Sequence, residues 1–273
     1  MAWLIVIGNW LLPLLYLALL IDYGATFFLR TRTQNRHPWL WGVIVAHLGY
    51  LVLRGVHLGH PPLAAPAEIL SALAWAMAAV YAVVEVAGRD RRSGVFVLSL
   101  AFIFQYTSSH MLAGIAAAPP AALAEPVLAR VHLIPALLAY TAFAFAAIYG
   151  LLYLLAQRDL RHRRFGVFFD RLPPLDLLGR MTWFALVTGF IFISITIVTG
   201  PLMFAPGSEA AQAALASTKV LLKIVTGGVA WVIYAAAILG RWLGKWGPQR
   251  ISAIAVAGYA VVMVLLIASA LLS

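Results

Sequence analysis

The chain has 273 residues and a formal net charge of +10, yet only 10% of its residues are charged and 64% are hydrophobic. A water-soluble domain carries about 25% charged residues, so lipid must be the solvent for most of this surface. The absence of cysteine excludes disulfides, thiolate chemistry, Cys-ligated clusters and thioether attachment of a cofactor. The cations sit in short loops between apolar runs, which argues against nucleic acid as a partner and for a membrane.

Apolar runs of about 20 residues recur along the whole length, each enough to cross about 30 Å of hydrocarbon as a helix. The alternating ten-residue segments of a membrane β-barrel are missing, and helices satisfy their own backbone groups. The expected fold is therefore all-α: one integral membrane domain, 1–273, a bundle of eight transmembrane helices. In chain order the spans are expected at 3–29, 40–55, 66–87, 93–114, 130–156, 177–203, 219–240 and 249–272. The first run lacks a basic leader and a small-residue cleavage site, so it reads as a retained span. The second is the shortest. Pro38, Pro61, Pro62, Pro119, Pro120, Pro126, Pro173, Pro174, Pro206 and Pro248 fall between the runs, where helix breakers belong. Gly227 and Gly228, inside the seventh run, are expected to allow close helix packing.

The loops set the orientation. Fifteen of the 19 cations lie between spans one and two, three and four, five and six, or seven and eight. Arg54, Arg130, Lys219 and Lys223 make up the other side. The positive-inside rule places the cation-rich side in the cytoplasm and both termini outside, in a multi-pass protein of the bacterial cytoplasmic (inner) membrane.

That topology gives each histidine a depth. His37 and His162 fall in cytoplasmic loops among arginines. His57 and His60 follow span two on the outer side. His110 ends span four, His132 begins span five, and His47 lies within span two. A polar residue inside a span is costly and marks a functional site by default. Two neutral imidazoles from different helices can ligate a haem iron axially. Cations can then hold the propionates: Lys219 and Lys223, four apart on one helix face, Arg130 beside His132, and Arg54 seven residues after His47. Trp75 and Trp231 offer aromatic walls. The competing reading of each histidine is an interior residue satisfied by a hydrogen bond. Asp22, Glu68 and Glu85 lie near span ends, where structural pairing with arginine is expected rather than a cation path.

The stretch Val131-His132-Leu133, then Leu138-Ala139-Tyr140-Thr141-Ala142-Phe143, resembles the "HV…SYxxF" helix of the CcsA/CcmC cytochrome c assembly superfamily. Leu175-Asp176-Leu177-Leu178-Gly179-Arg180, with Gly189-Phe190 and Thr199-Gly200, is similar to its "LDxLxYR…GF…G" run. Trp231-Val232-Ile233-Tyr234 is similar to its "WLIY" helix, and Gly247-Pro248-Gln249-Arg250 with Gly258-Tyr259 to its ending. The N-terminal half resembles the smaller eight-span HemX- and YpjD-like branch through His47, Tyr50, Pro62, Glu68, Tyr81, Glu85 and Gly94-Val95-Phe96.

The resemblance implies a haem-binding or haem-handling protein of the outer membrane face, supporting cytochrome c maturation or haem homeostasis. Non-covalent haem b is the implied cofactor, and other membrane proteins of cytochrome assembly are implied partners. His132 is the position matching the family's outer haem-ligating histidine. The departures are as informative. The tryptophan-rich haem-presenting loop is replaced by residues 204–218, which hold no tryptophan, with only Lys219 left of its end. A later family histidine is replaced by Leu239, and the sequence stops at Ser273 before another. A lyase activity is therefore not expected. The second iron ligand is sought among His110, His60 and His47, with His132 and His110 the expected pair. The alternative is a non-catalytic scaffold or regulatory subunit of another membrane complex.

Overall fold

Amides and carbonyls that cannot reach water must pair along the chain itself, and each long apolar run does so as a helix. The computed structural model describes residues 2–29, 38–63, 65–88, 91–114, 127–163, 166–203, 212 and 216–271. Its long helices are α1 (Ala2–Leu29), α2 (Pro38–Leu58), α3 (Pro66–Gly88), α4 (Gly94–Met111), α5 (Val127–Arg161), α7 (Leu175–Thr199), α8 (Thr218–Trp242) and α9 (Pro248–Leu271). A short α6 (Val167–Arg171) precedes α7, and a 3-10 turn, Pro201–Met203, follows it. No strand occurs among the described residues. The second run, expected to be short, is a full 21-residue helix.

Seven of these helices are long and apolar enough to cross a membrane, against the eight expected. The difference is α4. It has 18 residues, and Gln105, Ser108, Ser109 and His110 crowd its last two turns. Three of those four side chains point inward, since Gln105, Ser108 and Ser109 are buried.

The chain divides into two compact units, Met1–Glu125 with Asp170–Pro173, and Pro126–Phe169 with Pro174–Ser273. In the first, α1 to α4 form a closed four-helix arrangement, each helix touching two neighbours. Tyrosine rings fill notches at glycines. A Cβ on Gly8 of α1 would meet the Tyr50 ring of α2 at 2.7 Å, and one on Gly94 of α4 would clash with Tyr23 and Tyr81. Trp75 of α3 donates its indole N–H to the Ile44 carbonyl of α2 at 3.1 Å, so this tryptophan ties two helices together.

In the second unit α5 packs along α7, and α9 packs on α5, α7 and α8. Phe143 of α5 sits over Gly189 of α7, where a Cβ would come within 2.5 Å of its ring. The same ring stacks on Tyr234 of α8 at a centroid distance of 3.8 Å. Gly150 of α5 lets the Ser252 backbone of α9 approach, its carbonyl 3.0 Å from where a Cβ would stand. Close approach at small residues is how membrane helices gain packing energy when lipid supplies no hydrophobic drive. Gly227 and Gly228, expected to serve this purpose, show no such approach: among the described residues nothing lies within 4 Å of a Cβ at either.

Candidate functional site

The polar residues of the first unit form a buried column. The Tyr16 hydroxyl of α1 meets His47 Nδ1 of α2 at 2.9 Å, and the Ala74 carbonyl of α3 lies 3.2 Å from the same hydroxyl. His47 Nε2 meets Ser71 Oγ of α3 at 3.0 Å. Ser71 donates to Gln105 Oε1 of α4 at 2.9 Å, and Gln105 donates to Ser109 Oγ at 3.0 Å. Asn9 of α1 donates to the Ser109 carbonyl at 2.9 Å and accepts from Tyr50 of α2 at 3.3 Å. Polar residues from all four helices thus answer one another in the interior, because an unpaired polar group there would cost several kcal/mol.

Arg54 and Glu68 extend this column. Their side chains are 6% and 5% exposed and form an ion pair at 3.1 Å. Glu68 Oε2 also accepts the Ala65 N–H at 3.2 Å, closing half of a capping box at the start of α3. Farther along the same helices, Glu85 accepts from the Tyr23 hydroxyl and pairs with Arg91 at 3.0 Å. The expectation that Glu68 and Glu85 pair structurally with arginines is met by these two bridges.

The remaining candidates of this unit lie at its surface or turns. His110 ends α4 and is exposed. His60 follows α2 at a turn where Gly59 has φ +76°, and its Nδ1 lies 2.9 Å from the Pro61 carbonyl. His47 has both ring nitrogens engaged, so in this arrangement neither is available to iron, and Arg54 is held by Glu68.

In the second unit His132 stands on the second turn of α5, half-buried against the end of α7. Its Nδ1 lies 3.4 Å from Thr199 Oγ1, and the Thr196 carbonyl is a further backbone partner of the ring. Gly200 makes room for it: a Cβ there would lie 3.3 Å from His132 Cε1. Nε2 makes no side-chain hydrogen bond among the described residues. The ring is thus braced along one edge, the arrangement by which a second partner fixes the orientation of a metal-binding imidazole. Farther along α7, Ser194 accepts the Trp231 indole N–H at 3.0 Å, and Phe190 lies against Trp231 at 5.5 Å between centroids. Lys223 is exposed on α8. The side chains of Arg130 and Lys219 lie outside the described residues. No cluster of three or more His, Asp or Glu side chains that could cage a metal ion occurs among the described residues.

Sequence reasoning missed Tyr16, Ser71, Gln105 and Asn9. A signal was present. Asn9 and Tyr16 are seven apart, His47, Tyr50 and Arg54 follow at three and seven, and Gln105 and Ser109 are four apart. Each set is one helical stripe. Thr199 and Gly200 belong to a sequence motif, but nothing in the sequence pairs Thr199 with His132, 67 positions away.

A helical bundle with apolar outer faces and polar side chains turned inward defines an integral membrane protein. The sequence model of the cytochrome C assembly protein family matches residues 63–273, more than three quarters of the chain. The chain belongs to that family, and is a multi-pass membrane protein of cytochrome c maturation and haem handling. No curated protein and no solved structure matches it.

Proposed function

We propose that this protein binds haem b non-covalently, with His132 as the iron ligand, and holds it for cytochrome c assembly at the outer face of a bacterial inner membrane. The observation that carries the reading is the braced imidazole, with Thr199 and Gly200 on the Nδ1–Cε1 edge and Nε2 without a side-chain partner among the described residues. The donor set fits the group: a histidine supports axial ligation, and a chain without cysteine cannot form thioethers. Bound haem would supply a redox-active iron. The protein's own contribution is to orient the imidazole through α7 and to offer the Phe190–Trp231 surface to an apolar macrocycle. His110 is the proposed second ligand, and Arg130, Lys219 and Lys223 the propionate partners.

An eight-span topology with both termini outward underlies this reading. It is supported by the cation distribution and by α4, whose Gln105, Ser108 and Ser109 face the interior rather than lipid. Because the chain has no cysteine, single introduced cysteines report the topology cleanly. A cysteine at Gly59 or Gly114 should react with an impermeant maleimide from outside intact spheroplasts, and one at Lys245, which is exposed, after lysis alone. The reverse pattern sinks the orientation.

The haem reading is tested by absorption spectroscopy of the purified, haem-loaded protein in detergent. A Soret band is expected, weakened by His132→Ala and unchanged by His162→Ala. A folded sample without any Soret band overturns it. The loss of tryptophan from 204–218 favours a scaffold in that event, which predicts stable co-purification with another membrane protein.

A further inference from the structure

The cation-rich end of the second unit contains a cavity that the haem reading does not use. It has a volume of about 550 Å³ and is lined by Tyr153 of α5, Gly179, Arg180 and Trp183 of α7, Arg241 of α8 and Pro248 of α9. Gly179 closes its floor. A Cβ there would touch both Pro248 and Tyr153 at 3.4 Å, so three helices converge behind it. Two arginines face the space. Arg241 lies over the Trp183 ring, its guanidinium carbon 4.8 Å from the centroid, and forms no ion pair among the described residues. A guanidinium held over an aromatic ring by cation–π attraction still has its N–H donors to offer to an oxyanion. Arg180 pairs with Asp176 at 3.0 Å, but these side chains are 73% and 82% exposed. Such an exposed pair contributes little and exchanges readily.

We propose that this cavity is a binding site for the phosphodiester headgroup of an anionic phospholipid. The charge balance carries the choice. After Asp176 is set against Arg180, the positive charge of Arg241 remains, which matches one phosphodiester anion. The surrounding helix ends add Arg158, Arg161, Lys245 and Arg250 against Asp159, a net positive field that repels the ammonium of a zwitterionic lipid. The apolar half of the ligand is matched as well. Phe184, which also lines the cavity, is 75% exposed, and Trp242 and Leu243 on and just after α8 are 70% and 81% exposed. These side chains continue from the arginines onto the lipid-facing surface, where acyl chains would lie. Basic pockets between membrane helices at such an interface take acidic headgroups. A free phosphate would use the arginines alone and gain nothing from that apolar strip.

The test uses the full chain in detergent micelles, with lipid retention read by native mass spectrometry against equal phosphatidylglycerol and phosphatidylcholine. The wild type should retain phosphatidylglycerol preferentially. Arg241→Gln should lower that preference about fivefold, as expected for one cation at the headgroup plane, and Arg180→Gln should lower it by less. Arg92→Gln, in the first unit, should leave it unchanged. Arg180 is exposed, so its variant is folded in any case and keeps the proposal falsifiable if Arg241→Gln misfolds. Equal retention of the two lipids by the wild type overturns the proposal. So does displacement of the bound lipid by millimolar inorganic phosphate, which would identify a free-anion site.

Discussion

Removing the charge of Glu68 isolates the Arg54–Glu68 pair as a source of stability. The two groups are 3.1 Å apart and almost fully buried. At an effective dielectric of about 20 their attraction is about 5 kcal/mol, much of it offset by desolvation of both ions. Breaking such a pair from one side leaves an uncompensated buried charge, for which about 3–5 kcal/mol is typical. Glu68→Gln keeps the volume and an oxygen for the Ala65 N–H, so the start of α3 survives and the loss should be about 3 kcal/mol. Arg54 also hydrogen-bonds the Tyr50 side chain, which keeps the stranded guanidinium from being wholly unsatisfied and puts the value at the low end. Arg54→Met with Glu68→Gln removes both charges, and the double variant should be clearly more stable than the sum of the singles implies, by at least about 1 kcal/mol. The assay is equilibrium unfolding by SDS in mixed micelles, followed by far-UV circular dichroism. Additivity of the two single changes to within about 0.5 kcal/mol would refute the coupling.

Four further outcomes follow from the packing. Gly189→Ala should destabilise by about 1–3 kcal/mol because its methyl enters the Phe143 ring, and Phe143→Leu in the same chain should recover part of that loss in the same unfolding assay. Gly227→Ala, where the space is open, should leave stability unchanged or raise it by up to about 1 kcal/mol; a loss comparable to Gly189→Ala would contradict the assignment. Tyr234→Phe should not destabilise, since the Tyr234 hydroxyl is buried without a partner among the described residues and the stack on Phe143 survives the change. Gly200→Val should displace the His132 ring and weaken the Soret band while leaving circular dichroism intact; an unaltered band would mean that the Gly200 brace does not position the ligand.

Much of the fold was legible because membrane helices obey local rules. Apolar length, proline punctuation and loop charge are properties of consecutive residues, and they marked all eight long helices. The family resemblance was legible for a similar reason, since its motifs are short runs, and the match over residues 63–273 bears it out. The limits appeared where a property depends on a neighbouring helix. Hydropathy treats Gln105 and Ser109 as penalties on α4, whereas the bundle turns them inward, where Gln105 accepts from Ser71 and donates to the Ser109 hydroxyl.

The same reason explains the candidate site. The sequence by itself determined that histidines and cations collect toward helix ends, that thioether chemistry is excluded, and which histidine matches the family position. The tertiary structure decided how each group is engaged. His47 has partners at both nitrogens and Arg54 is held by Glu68, while His132 is braced along one edge by Thr199 and Gly200. Within a bundle, a side chain's availability depends on what the neighbouring helices place against it, and positions 31 or 67 residues apart along the chain carry no local mark of that pairing.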